Sequence, residues 1–375
     1  MRIWHVGARP SPNAVDGVGM VVWQTAREQA KLGHDVALVL DDAPDAAARE
    51  VADGSGIELA HLPSRLLRYR SAAVRALLKA RRPDVVHMHK TFVPQQLALT
   101  RSLVGLDIPY VITPHGGVNH RRTNVKKSAY TWLVERGRLQ RAAAITTVAP
   151  LEERSVRKVV PTYKRPIRWV PNPVDTNLLE GYEWCGDLAG RRATFLGRFH
   201  VVNKGIDTLV EISRRLPDLS VNLYGSPHPQ TERLLASIAA DLPPNVRLNE
   251  TVSGEQKARL LANSSLYIQT SRWEGFSISI SEAMYLGVPC VVCESPHPPV
   301  QMVHHAEVMQ ERGFGLVLPQ DPEKAARKLA EALESPEDLL ASAARAKKFA
   351  RENFSPKSAA LAYLDVYREV LTSSR

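Results

Sequence analysis

The chain has 375 residues, more than one ordinary hydrophobic core takes up, so two domains are expected. Hydrophobic residues make up 44% and charged residues 23%, the balance of a globular protein rather than a disordered or fibrous one. The formal charge of +10 is unevenly placed: residues 1–175 carry 27 Lys/Arg against 15 Asp/Glu, whereas residues 176–375 carry 22 against 24.

That asymmetry points to an anionic partner for the first half, such as a phosphate-bearing acceptor, a membrane surface or nucleic acid; a merely solvated basic surface is the alternative. No apolar run approaches the roughly 18–20 residues of a membrane span. Cys185, Cys290 and Cys293 make no disulfide framework. Cys290 and Cys293 fall on opposite faces of an expected strand, which favours burial over metal binding. With no signal-peptide pattern before the first strand, a cytoplasmic location is expected, peripheral at the inner membrane face if the basic half meets lipid.

The chain opens on a strand at 2–6. A loop through Gly17-Val18-Gly19 then leads into a helix of about 19–32, ended by Gly33. A dinucleotide fingerprint needs a third glycine at position 22, where Val22 stands, so Gly17 and Gly19 suit a close approach to a phosphate or only a tight turn. Strands at 35–40, 57–60, 84–88, 109–113, 143–147 and 167–170 alternate with helical stretches, the pattern of a doubly wound parallel sheet. Thr113-Pro114-His115-Gly116-Gly117 closes one of these strands, and two glycines there let backbone approach a ligand beside His115. His120-Arg121-Arg122 and Lys126-Lys127 follow as a basic cluster. Pro171 to Gly190 reads as a linker.

A second alternating series places strands near 193–197, 219–224, 246–249, 265–269, 289–293 and 315–318, then three helices to 372. Arg198 follows the first of these strands, and Lys204 lies in Asn203-Lys204-Gly205 on the same loop. Arg forks onto phosphate oxygens and Lys adds a point charge, so both suit a leaving diphosphate. A helix is expected to be capped by Ser253, with Gln256 three residues on. Between the strands at 265–269 and 289–293 lies Glu274-Gly275-Phe276-Ser277-Ile278-Ser279-Ile280-Ser281-Glu282. The helix start near 276–280 offers free N–H groups to a diphosphate, and an acid on either side can accept from hydroxyls. The same residues also fit a capping box, Ser279 to Glu282, in which Glu282 serves only its own helix end.

This stretch, with Ala283-Met284 and Gly287-Val288-Pro289, resembles the E-x7-E signature of the retaining GT-B glycosyltransferases of the family 4, group 1 type. It departs from the usual string at Ser277-Ile278-Ser279-Ile280. The resemblance implies two Rossmann-like parallel-sheet domains facing a central cleft. The N-terminal one (1–171) would bind acceptor and the C-terminal one (172–355) nucleotide-sugar, with a last helix (356–375) crossing back. It implies hexose transfer to an acceptor hydroxyl, with a UDP-sugar favoured over a GDP-sugar. The acceptor is expected to be phosphate-bearing or lipid-linked, in polysaccharide, glycolipid or natural-product glycoside synthesis. His115, Arg198, Lys204 and Glu274 would be catalytic. Gly17, Gly19, Gly275, Phe276, Ser277, Ile278 and Glu282 would complete the substrate contacts. With no D-x-D at the proposed site, no metal and no cofactor are expected. An epimerase or hydrolase on the same fold is the first alternative. A nucleic-acid-binding protein is the second, weakened because only Tyr130 and Trp132 offer aromatic platforms around 121–141.

Overall fold

A computed structural model describes the chain at residues 1–8, 17–40, 42–62, 64–65, 68–69, 71–94, 96–118, 129–294 and 304–373. It divides into two compact units, Met1–Pro173 with Pro356–Arg375, and Val174–Ser355. None of its helices is long and apolar enough to cross a membrane, among the described residues.

The first unit is built on seven parallel strands: β1 (Arg2–Val6), β2 (Asp35–Leu40), β3 (Glu58–His61), β4 (Val85–His89), β5 (Tyr110–Thr113), β6 (Ala144–Thr147) and β7 (Ile167–Trp169). Their order is 3-2-1-4-5-6-7, so the direction of winding reverses between β1 and β4. The carboxyl ends of those two strands are where such sheets bind ligands. Helices cover both faces, which is why the strands read as nearly continuous apolar runs. Trp4, Val86, Met88, Ile112 and Ile145 point into one core layer. Ile3, Val85, Val111 and Ala144 point into the other, where they meet Ala359, Tyr363, Tyr367 and Val370 of the last helix, Pro356–Ser373. The crossing back of that helix is therefore a packing fact: its tyrosines are fully buried against the first sheet.

The second unit has six parallel strands, β8 (Arg192–Leu196), β9 (Ser220–Tyr224), β10 (Val246–Asn249), β11 (Leu266–Gln269), β12 (Cys290–Cys293) and β13 (Leu316–Leu318), in the order 10-9-8-11-12-13. Its switch point falls between β8 and β11. The Ile278–Leu286 helix after β11 is buried on most sides, Ile280 to Met284 and Leu286 all being inaccessible. Gly287 ends it at φ 88°, with Gly287 N–H on the Met284 carbonyl (3.0 Å) and Val288 N–H on that of Ala283 (2.9 Å). That pair of bonds is the Schellman arrangement, and its positive φ accounts for the glycine.

Two local expectations are corrected. Ser253 does precede the Gly254–Ala262 helix, but its side chain makes no capping bond. The helix expected over about 19–32 spans Gly17–Lys31, so Gly17 and Gly19 both lie in helix rather than in loop; Gly17 is exposed and Gly19 buried.

Candidate active site

At the second unit's switch point the loop after β8 and the loop after β11 are tied together. Arg272 forks onto Asp207 with bonds of 2.7 and 2.8 Å, and its backbone N–H reaches the Asn203 carbonyl at 2.9 Å. Gly205, at φ 63°, packs so closely under Thr270 that any Cβ would overlap the Thr270 carbonyl oxygen. A side chain there would push the two loops apart. This clamp sets Lys204, which passes over Gly197, against Glu274, with which it forms an ion pair. Glu274 also accepts from Gln269 Nε2 at 3.2 Å, while Gln269 Oε1 accepts from Ser277 and Tyr267 at 3.0 and 2.9 Å. Glu274 is thus held by β11 itself, and its charge is balanced by a lysine that keeps partial access to water.

The helix after that loop starts at Ile278. Its N-cap is Ser277, whose Oγ accepts from Ile280 N–H at 3.4 Å, and Ser281 N–H reaches the Ser277 carbonyl at 3.1 Å. The N–H groups of Ile278 and Ser279 have no acceptor among the described residues, as first-turn geometry requires. The capping box at Ser279 is therefore not formed, and Glu282 has no part in closing the helix end. Instead Glu282 lies one turn inside, 2% exposed, with Oε1 bonded to Lys257 Nζ at 2.5 Å and Oε2 buried with no partner among the described residues. Burial raises its pKa above the usual carboxylate value, with Lys257 pulling the other way. A buried carboxylate with one empty oxygen is costly unless something else fills it.

In the first unit, residues 114–117 form a tight turn closed by Gly117 N–H on the Pro114 carbonyl (3.0 Å). His115 and Gly116 both have positive φ, 52° and 73°. A histidine in this conformation is strained by the clash glycine avoids, and such strain concentrates at working sites. Glu152 holds the turn in place. Its fully buried carboxylate accepts from Gly116 N–H at 2.5 Å and Val148 N–H at 2.9 Å. Burial lifts its pKa to about 7, against those two donors. Lys90 and Phe92, after β4, also have positive φ, 73° and 62°. Phe92 N–H is tied to Glu135, itself in a buried pair with Arg138.

Behind His115 stand three more imidazoles, His5 on β1 and His87 and His89 on β4, all fully buried. Their candidate ligand nitrogens lie within 4.8 Å of one another, the one group of three that could hold a metal among the described residues. Every one of those nitrogens already has a partner: Gln29 and His89 for His5, Tyr367 and Thr113 for His87, His5 and His115 for His89. An ion would have to break these bonds to enter.

The structure brings Lys204, Glu274 and Ser277 into one network and sets Ile278 at the free helix end, with Gly275 in the turn before it. Phe276 contributes no side chain to that end: its ring is buried edge-on to Phe354 at 5.4 Å. Arg198 is exposed and its charge is felt at His228. The basic cluster His120-Arg121-Arg122 and Lys126-Lys127 lies outside the described residues. Lys257, Glu152, Gln29 and the three buried histidines were not singled out from the sequence.

Comparison with known proteins gives the same frame. Residues 15–178 match the model for Glycosyltransferase Family 4, and residues 190–352 that for Glycosyl transferases group 1. The chain is 30% identical over 353 residues to the GDP-mannose:cellobiosyl-diphosphopolyprenol alpha-mannosyltransferase of Xanthomonas oryzae pv. oryzae, covering 89% of this chain and 87% of that one. It is 28% identical over 348 residues to the protein of the same name from Xanthomonas campestris, with the same coverage. Among solved structures, sucrose-phosphate synthase from Thermosynechococcus elongatus superposes with a TM-score of 0.76 at 18% identity, covering 99% of both chains. Anabaena HepE in complex with UDP and glucose gives 0.72 at 15%, covering 100% and 99%. At such identities these two establish the fold, which is GT-B.

Proposed function

Because this chain belongs to the glycosyltransferases of family 4 and group 1 and is a hexosyltransferase of the GT-B fold, we propose that its donor is a nucleoside-diphosphate hexose held by the second unit. In this reading the diphosphate sits at the free N–H groups of Ile278 and Ser279. Glu282 Oε2 accepts from the ribose and Glu274 from a sugar hydroxyl. The observation that carries it is the buried, unpartnered Oε2 of Glu282, one helical turn from an open helix start. Lys204 is the mobile element. It neutralises Glu274 in the free protein, moves to the incoming diphosphate, and leaves Glu274 free to grip the hexose. As the glycosidic bond breaks, Lys204, Arg198 and the helix start stabilise the charge gathering on the leaving diphosphate. They supply what a divalent cation supplies elsewhere, so transfer is metal-independent. Transfer retains configuration, with the leaving phosphate taking the acceptor's proton.

The sequence resemblance favours UDP over GDP. The relatives are named for GDP-mannose, and GDP-mannose is the donor we put first. Their names also carry a polyprenol diphosphate acceptor, which suits the excess of basic residues in the first half. That unit also exposes Trp132 and Leu133, 50% and 82% accessible, with the Arg136 guanidinium 5.3 Å over the Trp132 ring. An exposed aromatic and an aliphatic side chain beside a guanidinium is chemistry suited to a lipid headgroup boundary. Incubation with GDP-mannose and a short-chain polyprenyl diphosphate disaccharide should add one hexose by mass. Hydrolysis without transfer, from GDP- and UDP-sugars alike, would reject the proposal.

A further inference from the structure

The buried imidazoles form a string that ends on His115. Gln29 Oε1 lies 2.7 Å from His5 Nε2, His5 Nδ1 3.1 Å from His89 Nε2, and His89 Nδ1 3.0 Å from His115 Nε2. Each contact between two ring nitrogens needs one proton and one lone pair, so the direction chosen at one end propagates to the other. An amide oxygen only accepts, so His5 must carry its proton on Nε2. Burial keeps His5 neutral by lowering its pKa to about 4, so its Nδ1 is a lone pair. His89 must then donate from Nε2. Burial together with the neighbouring histidines holds it far below the usual imidazole value, so it too is neutral and its Nδ1 accepts. The remaining proton, between His89 and His115, belongs to His115 Nε2.

We propose that Gln29, His5 and His89 are positioning residues that fix the proton of His115 on Nε2, leaving Nδ1 as the ring's acceptor nitrogen. An acceptor nitrogen takes a hydrogen bond from a hydroxyl and does not donate to a phosphate oxygen. The strained turn fixes where the ring stands, and the relay fixes which of its faces is basic. His87 runs outside this string, both its nitrogens being spent at 2.6 Å on Tyr367 and Thr113. Only two rings of the trio therefore face each other through shared protons, which favours a proton-ordered string over a three-histidine cation site.

The role of Nδ1 rests on the transferase reading, but the tautomer does not. It is measured without substrate, so failure of one is distinct from failure of the other. The protein is labelled with 15N-histidine and long-range 1H–15N correlation spectra are recorded, with His115→Asn and His89→Asn assigning the rings. All three rings are expected as neutral Nε2–H tautomers, and equimolar zinc should leave them so. An Nδ1-protonated or tautomer-averaged His115 would overturn the proposal, as would loss of the His5 and His89 Nε2–H signals on adding zinc. Gln29→Leu removes the oxygen that orders the string. His115 should then average both tautomers, and kcat should fall by roughly fivefold to tenfold with donor KM unchanged. A His115 that stays Nε2-protonated in this variant would show that Gln29 does not set the order. Should Gln29→Leu fail to fold, the wild-type spectrum still decides.

Discussion

Glu282→Gln separates a ligand-binding carboxylate from a structural one, because the two make opposite predictions for stability. Its folded-state pKa is raised by burial. The carboxyl therefore contributes stability below its ordinary pKa, and that contribution is lost as pH rises through the folded value. Above that folded value the ionised group is a burden: one oxygen pairs with Lys257 and the other is buried with no partner among the described residues. A neutral isostere removes the buried charge: its oxygen keeps the bond to Lys257, whose side chain is 22% exposed, and its Nε2 takes the unpartnered place. Relief of about 1 kcal/mol would raise the midpoint of a unit this size by about 2–4 °C. Binding should move the other way. A hydrogen bond to a charged group contributes about 1.5–3 kcal/mol, so nucleoside diphosphate affinity should fall about 10- to 150-fold. Thermal unfolding at pH 8 without ligand and calorimetric titration with GDP and UDP measure the two. A lowered midpoint with unchanged affinity would refute the reasoning and make the Lys257–Glu282 pair structural.

Lys204→Ala should lower kcat about 10- to 100-fold, more than it raises donor KM, since its charge matters most as the diphosphate leaves; equal changes in both would remove it from that role. Wild-type kcat should rise with pH through about 7 as Glu152 ionises and accepts from both Gly116 and Val148. Glu152→Gln, which can accept from only one of them, should give a low, flat profile over the same range. Trp132→Ser with Leu133→Ser should release the protein from anionic vesicles in co-sedimentation while activity on a water-soluble acceptor persists; unchanged sedimentation would remove these residues from the lipid contact. A chelator should leave the rate as it is, and restoration of a lost rate by added Mg²⁺ or Mn²⁺ would contradict the metal-free mechanism.

The alternation of strand and helix was legible because parallel sheets covered on both faces need apolar runs of strand length, such as residues 36–40 and 266–268. The two acids were legible because the turn at Gly275 and the stop at Gly287 bracket a helix of fixed length. Both Ser277 and Ser279 can accept from an N–H, which is why the sequence leaves the capping box open beside a free helix start; the structure has Ser277 as the N-cap. Lys257 was out of reach, since its meeting with Glu282 depends on how two helices pack across 25 residues of chain. Glu152 was hidden for a similar reason, its partners being backbone N–H groups on separate loops. The histidines did leave a signal. His87 and His89 recur with period two on a strand whose other residues are apolar, and His5 stands beside His87 in the sheet register. A polar face inside a fully buried sheet marks a network that must satisfy itself internally.

A crystal of the protein soaked with GDP-mannose and, separately, with UDP-glucose tests the donor site most directly. The account predicts diphosphate oxygens within hydrogen-bonding distance of the Ile278 and Ser279 N–H groups, ribose hydroxyls on Glu282 Oε2, and Lys204 moved from Glu274 to the phosphate. A nucleotide bound elsewhere, or Glu282 still unpartnered at saturating ligand, would contradict it.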